Sequence, residues 1–429
     1  MQLEVCCHKP AIALYYPSLE HAGGIERVVV EQTRVFTEKG YPCILLTNEE
    51  PKFYCNLIKC KHCVLSTDLT KRESEWREIL KEHRIKFVIL NSAIDTTVFF
   101  DINVIKKCSA RVINTVHFSF PCPILFNEAW ESFRINQKVG KECDAVATVN
   151  KLDAVWWRAM GCNAYPVLNP FTYYDHSNAK KDYNRHTIVW IGRGAPQKKP
   201  MEALQIIAEV AKQIPDVKLF MVGVEQGAYS KVIKHLGIVN NVTIVPPTNE
   251  IGQYYEQASI HLLTSVTESF CLVVAEAKSY HIPTIMYNIP FIELVEDGRG
   301  TIIHEQSDIK GMANSIVSLF NAPQQIHLLG KAAFESLSNF NDDNVVARWQ
   351  AIFDDIDRGE CQQTNTVDST DTIICEIYSA WMNHCEQNAW KIKFFDNIER
   401  ATGHSAKGII EEFENHIINQ LRRIKNKFI

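Results

Sequence analysis

Glu268 and Glu276 frame a stretch whose residue types could do chemistry, Ser265 to Glu276, reading Ser-Val-Thr-Glu-Ser-Phe-Cys-Leu-Val-Val-Ala-Glu. The apolar run Ile260-His261-Leu262-Leu263-Thr264 before it reads as a buried strand, and Cys271 to Ala277 opens a helix continuing toward Tyr280. Glu268 then falls in the strand-to-helix loop and Glu276 roughly two turns inside the helix. At a rise of about 1.5 Å per residue, the two stand a small ligand's length apart. Backbone N–H groups near Phe270, Cys271 and Leu272 lie between them and form an anion site at the helix start. A negative group held by N–H dipoles, with a hydroxyl-accepting carboxylate at each end, suits a phosphorylated sugar. The same residues also read as an ordinary helix with one capping and one surface glutamate.

Other groups bear on that reading. Arg193 and Lys198 share the loop after the strand 187–192, ahead of a helix from Pro200 to Gln213. An Arg fork and a Lys point charge beside a helix N-terminus would neutralise a diphosphate; a pair of solvated surface cations is the alternative. Gly23-Gly24 follows the first strand, with Glu26 and Arg27 just inside the next helix. The glycines either let a ligand approach the helix start or serve a turn that needs positive φ. His117 comes directly after the strand Arg111 to Val116, at the edge of a parallel sheet where ligands bind. It could donate to a hydroxyl or a phosphate, or be a structural histidine bonded to a loop carbonyl. Gly23-Gly24 is not a full G-x-G-x-x-G, and no acidic residue ends the second strand, which argues against nicotinamide or flavin.

The elements that must position these groups form two successive α/β series. The first has strands at 11–16, 42–47, 87–90, 111–116 and 144–148, with helices at 72–83, 97–107 and 151–160. Its leading helix places Ile25, Val28, Val29, Gln32, Val35 and Phe36 on one stripe and stops at Gly40. Residues 172–186 are polar and aperiodic, an interdomain linker. The second series has strands at 187–192, 217–222, 242–245, 260–264, 283–287 and 300–303, with a helix at 249–257. The expected division is therefore 1–171, linker 172–186, and 187–341, with the loops of both parts aimed at a shared cleft and a ligand between them.

Bulk properties agree. A chain of 429 residues exceeds one ordinary core, and 46% hydrophobic with 22% charged residues is a soluble composition. A net charge of −5 gives no sign of nucleic-acid binding. The start lacks a signal-peptide pattern and no apolar run approaches a membrane span, so a cytoplasmic location is expected. The fourteen scattered cysteines read as reduced thiols, and the cluster Cys55, Cys60, His62, Cys63 lacks the second C-x-x-C pair of a structural zinc site.

In this order, Gly23-Gly24-Ile25-Glu26-Arg27, Ile191-Gly192-Arg193 with Lys198, and Glu268 with seven residues before Glu276 resemble the GT-B glycosyltransferases of family four, over roughly residues 11 to 357. The resemblance implies two Rossmann-like domains facing a cleft, and retaining, metal-independent transfer from a UDP- or GDP-sugar without a further cofactor. It implies that Arg193 and Lys198 clamp the donor diphosphate, Glu276 accepts the ribose hydroxyls and Glu268 holds the sugar. Ser269, Phe270, Cys271 and Leu272 would touch sugar and phosphate, Gly23 and Gly24 would close over the phosphates, and His117 would stand near the transferred sugar. The implied acceptor is a glycan, lipid-linked or part of a surface polysaccharide, or a protein. The chain departs from the family at Ser269, at Cys271 where glycine often stands, at Pro246-Pro247, and at Asn288-Ile289-Pro290-Phe291, which replaces a glycine-rich turn.

Two rival readings keep the fold: a sugar-nucleotide epimerase, and a non-catalytic partner subunit, which would have no need of Glu268, Glu276, Arg193 and Lys198 together. Helical spacing over 342–357 resembles the family's last helix, which crosses back to the first domain. Beyond it, 358–371 reads as a linker and 372–429 as a helical extension. Ile410, Phe413, Ile417, Leu421, Ile424 and Phe428 form one stripe there, beside Arg422, Arg423, Lys425 and Lys427. Peripheral membrane contact, a homodimer and packing on the enzyme's body are all open for this segment.

Overall fold

The computed structural model describes residues 9–21, 23–91, 97–120, 122, 130–171, 182–289, 292–362 and 371–380. The chain forms two compact units, residues 1–364 and 365–429. In the second, 371–380 are helical; the stripe at 410–428 lies outside the described residues, as do most of the linker and Pro290-Phe291.

The first unit holds two parallel sheets. In the N-terminal lobe, strands β1 (Ala11–Tyr15), β2 (Cys43–Thr47), β3 (Lys61–Val64), β4 (Ile85–Asn91), β5 (Arg111–Val116), β6 (Ala145–Thr148) and β7 (Ala164–Pro166) lie in the order β3-β2-β1-β4-β5-β6-β7. In the C-terminal lobe, β8 (Thr187–Ile191), β9 (Lys218–Val222), β10 (Val242–Val245), β11 (Ile260–Leu263), β12 (Thr284–Tyr287) and β13 (Thr301–His304) lie in the order β10-β9-β8-β11-β12-β13. In each sheet the chain starts in the middle, runs to one edge, and returns to build the other. That reversal leaves a crevice at the C-terminal ends of β1 and β4 in one lobe and of β8 and β11 in the other. The central strands are continuous apolar runs because helices cover both faces.

Edge strand β3 departs from expectation. The Cys and His of the 55–63 cluster fall on and before a half-exposed edge strand, where His62 Nε2 meets Thr47 Oγ1 at 2.8 Å. Helices Trp130–Glu142, Ile309–Phe320 and Pro323–Glu335 are additional to those read from the sequence.

The helix Asp342–Arg358 packs on the N-terminal lobe. Its start is fixed by Asn341, whose Oδ1 accepts from the Asn344 N–H at 2.9 Å, with Asp342 and Asp343 in the first turn. Gly359, at φ 69°, ends it. The buried stripe Val345, Val346, Trp349, Ile352, Phe353 and Ile356 enters the N-terminal lobe's core, where Phe353 stacks on Phe87 with ring centroids 4.4 Å apart. Arg34 holds Asp342 with two parallel bonds of 2.7 and 3.1 Å, and Tyr41 donates to Gln350 Oε1 at 2.6 Å.

Candidate active site

Two loops of the C-terminal lobe are tied into one piece. Thr264 Oγ1 donates to the Lys198 carbonyl at 2.7 Å and accepts from Trp190 Nε1 at 3.0 Å. Val266 N–H donates to the Gln197 carbonyl, and Gln197 Nε2 to the Thr267 carbonyl, both at 2.8 Å. This stitching brings Lys198 onto Glu268: their Nζ and Oε1 stand 2.5 Å apart, and Ser265 Oγ adds a second donor at 2.6 Å. Burial works against the Lys198 charge, but the Glu268 carboxylate outweighs it and holds the ammonium above its ordinary pKa. Lys198 and Glu268 are thus one ion pair. Arg193, in the same loop, is exposed and makes no hydrogen bond or ion pair among the described residues. It faces the Tyr16 hydroxyl electrostatically, and that hydroxyl donates to Glu26 Oε1 at 2.9 Å.

The helix carrying Glu276 spans Leu272–Ser279, so Glu276 sits one turn inside it, not two. It starts from Cys271, a buried thiol in the left-handed region at φ 66°, ψ 68°. That conformation explains why glycine serves well at this position, and it costs a cysteine about 1 kcal/mol or more. The N–H groups of Phe270, Cys271 and Leu272 make no hydrogen bond to a protein acceptor among the described residues, leaving the anion site expected between the carboxylates. Glu276 is fully buried. Tyr255 Oη donates to its Oε2 at 2.9 Å, and Arg27 of the N-terminal lobe forms an ion pair with its Oε1. Burial raises the Glu276 carboxyl above its ordinary pKa, and Arg27 and Tyr255 offset only part of that.

The N-terminal lobe meets these loops directly. Ser119 and Thr267 share a 2.8 Å hydroxyl–hydroxyl bond, and Ser269 Oγ donates to the His117 carbonyl at 2.9 Å. Gly24 opens the helix Gly24–Glu38, and a Cβ there would stand 3.9 Å from Leu272 Cδ1. Neither Gly23 nor Gly24 has positive φ, so the turn reading fails for both. A Cβ at Gly23 would lie 2.1 Å from the Glu26 carboxylate, so a larger residue there would displace the end of that side chain from its bond with Tyr16.

His117 has one ring nitrogen engaged within the protein. Its Nε2 lies 3.0 Å from Asn91 Oδ1, while Asn91 Nδ2 donates to Gln32 Oε1 at 2.9 Å. Burial lowers the His117 pKa to about 4, so the ring is neutral near pH 7. Asp153 holds the loop after His117 by accepting the Phe120 N–H at 2.7 Å, and burial raises its pKa to about 7.

These shifts carry a sign. His117 and the fully buried His261, lowered to about 3 by burial, bind protons in the unfolded chain that the folded chain refuses. Their contribution is present above about pH 6.5 and lost as pH falls through the window below it, at up to about 1.4 kcal/mol per pH unit for each. Asp153 and Glu276, raised by burial, act in the opposite sense. The difference isolates the histidines: between pH 7 and pH 5, urea midpoints should fall less for His117→Gln/His261→Gln than for the parent.

All the residues singled out from the sequence gather at this junction of the two lobes. Arg27, Tyr255, Asn91, Gln32, Ser119 and Thr267 join them and were not singled out as site residues. Arg27 and Thr267 fall inside the stretches read from the sequence, and Gln32 is a polar residue on the core-facing stripe of its helix; Tyr255, Asn91 and Ser119 left no signal.

Residues 175–336 match the family Glycosyl transferases group 1, and both sheets have the doubly wound order of GT-B structures. Residues 175–336 thus match a glycosyltransferase group 1 domain, and the two lobes have a GT-B fold. The chain is 24% identical over 362 residues to an uncharacterized glycosyltransferase of Haemophilus influenzae, covering 80% of this chain and 99% of that protein. It is also 24% identical over 206 residues to N-acetyl-alpha-D-glucosaminyl L-malate synthase of Bacillus anthracis, 46% of this chain and 54% of that one. Among solved structures, S. aureus TarM in complex with UDP, Fondaparinux and alpha-GlcNAc-glycerol superposes with a TM-score of 0.67 at 13% identity, covering 80% of this chain and 99% of that one. Anabaena HepE in complex with UDP-glucose gives 0.65 at 16%, covering 81% and 99%. At these identities the structural likeness speaks to the fold.

Proposed function

We propose that this glycosyltransferase moves a sugar from a UDP- or GDP-sugar, with retention and without a metal, to a glycan acceptor, lipid-linked or part of a surface polysaccharide, or to a protein. The observation that carries the reading is the single cluster of Arg193, Lys198, Glu268, Glu276 and the free N–H groups at Phe270 to Leu272 where the lobes meet. In it, Arg193, Lys198 and the helix start face the diphosphate, whose negative charge grows as it leaves. Glu268 takes sugar hydroxyls in exchange for part of its bond to Lys198, and Glu276 takes the ribose in exchange for Arg27. No side chain is assigned as a nucleophile; holding donor and acceptor together is the main contribution of the two lobes. The UDP and UDP-glucose bound by TarM and HepE support a nucleotide-sugar donor. A cytoplasmic site of action fits this donor, and among the described residues no helix is long and apolar enough to cross a membrane.

The test is a panel of UDP- and GDP-sugars assayed for donor hydrolysis and transfer, with and without a chelator. One donor should turn over, unaffected by the chelator. Glu276→Ala should weaken nucleotide binding by about 10-fold or more, the loss expected of a buried charged hydrogen-bonding group. Absence of binding and turnover across the panel, with Glu276→Ala inert, would remove the transferase reading.

A further inference from the structure

The hydrogen bonds around His117 bear on which of its nitrogens carries the proton. Asn91 is fully buried and Gln32 nearly so. Asn91 Nδ2 donates to Gln32 Oε1 at 2.9 Å, which turns the Asn91 carbonyl oxygen toward the imidazole 3.0 Å away. A carbonyl oxygen can only accept, so with the two amides in this orientation His117 Nε2 carries the hydrogen. Nδ1 of the neutral ring is then a lone-pair acceptor. It is buried and, among the described residues, has no partner. On the neighbouring strand Thr115, paired in register with Asn91, also has a buried hydroxyl without a partner among the described residues. Buried polar atoms left unmatched inside a folded protein are uncommon, and beside a cleft they mark places completed by a ligand or water.

We infer that Gln32 and Asn91 are positioning residues that lock His117 in its Nε2–H form, reserving Nδ1 as an acceptor for a hydroxyl of the bound sugar. The order of the chain matters: Gln32 orients the Asn91 amide, and Asn91 selects the tautomer. With the Asn91 amide reversed, its NH2 would face the ring, Nε2 would become the acceptor, and Nδ1 would present a proton. The same ring would then repel a hydroxyl hydrogen where the locked form accepts it. No charged side chain contributes to the lowered His117 pKa; burial alone does. The uncharged form is therefore maintained by packing and the tautomer by Asn91, two separable causes.

The inference deepens the proposed transferase reading but is testable apart from it. Ring-15N spectra of the full-length protein, with the His117 signal assigned by its loss in His117→Gln, report the tautomer without any substrate. The parent should show Nε2 protonated and Nδ1 bare near pH 7. Asn91→Leu should release the ring to a mixture of tautomers. Gln32→Glu, which still accepts from the Asn91 amide, should preserve the parent pattern. Asn91→Asp keeps an acceptor for Nε2–H and adds a charge, so it should preserve the tautomer while moving the His117 titration, and the acid limb of the rate profile, to higher pH. In turnover with the donor found by the panel, Asn91→Leu should lose about 10-fold or more in kcat, the scale seen when an outer hydrogen-bond partner of a functional histidine is removed, with nucleotide affinity unchanged. Gln32→Glu should retain most of the parent rate. A parent His117 protonated at Nδ1 overturns the inference, as does an Asn91→Leu protein with unchanged tautomer or unchanged kcat. If the spectra follow expectation but no nucleotide sugar is a substrate, the reaction assignment fails while the tautomer lock stands.

Discussion

Lys198→Ala should lower turnover by about 10²–10³-fold, the loss typical of removing one preorganised group that stabilises developing charge. Lys198 is the better buried of the two loop cations and the one in contact with Glu268. Its removal deletes charge beside the leaving diphosphate and leaves the Glu268 carboxylate without its counter-ion in a largely dry setting. The loop itself should survive, because Thr264, Val266 and Gln197 hold it through backbone atoms that the substitution does not touch. The measurement is kcat with saturating donor beside a thermal melt. A large fall in rate with only a small change in Tm is the expected pattern. Arg193→Ala, which removes an exposed cation, should act more on donor KM. A Lys198→Ala enzyme with near-parent kcat would take the diphosphate-stabilising role away from this lysine.

The second large effect concerns stability. Trp349→Ala should cost about 3–5 kcal/mol, the range for truncating a buried large aromatic. Trp349 is fully buried on the helix Asp342–Arg358, with ring centroids 5.9 Å from Phe36 and 6.1 Å from Phe353. Its indole N–H is buried without an acceptor among the described residues, so Trp349→Phe removes an unpaired donor along with some packing, and the two changes oppose each other. The phenylalanine variant should therefore lie within about 1–2 kcal/mol of the parent. Urea midpoints at pH 7 distinguish these outcomes. Equal losses in both variants would mean that a phenyl ring recovers none of the packing made by the indole.

The strands were legible because a sheet covered on both faces needs unbroken apolar runs, as in Ala11-Ile12-Ala13-Leu14-Tyr15 or Ile260-His261-Leu262-Leu263. β3 escaped because Lys61-His62-Cys63-Val64 sits at an edge, partly exposed, and carries no apolar run to betray it. Helix Ile309–Phe320 offered a legible start in Asp308, whose side chain accepts the Gly311 N–H. At the site, residue types and loop positions could be read, since both follow from strand-to-helix transitions. What those residues touch could not. Arg27 reaches Glu276, Ser119 reaches Thr267 and Gln32 reaches Asn91 across long sequence separations. A buried polar pair of this kind depends on how two elements dock, which local periodicity does not encode.

The left-handed backbone of Cys271 has a geometric consequence for the two carboxylates. Glu268 is anchored before this residue by Lys198 and Ser265, and Glu276 after it by Tyr255 and Arg27. Cys271 is the one left-handed residue of the segment between them. It therefore works as the angle of a caliper: the loop is one jaw, the first turn of the helix the other, and the turn of the chain between the two glutamates is made at a single left-handed cysteine.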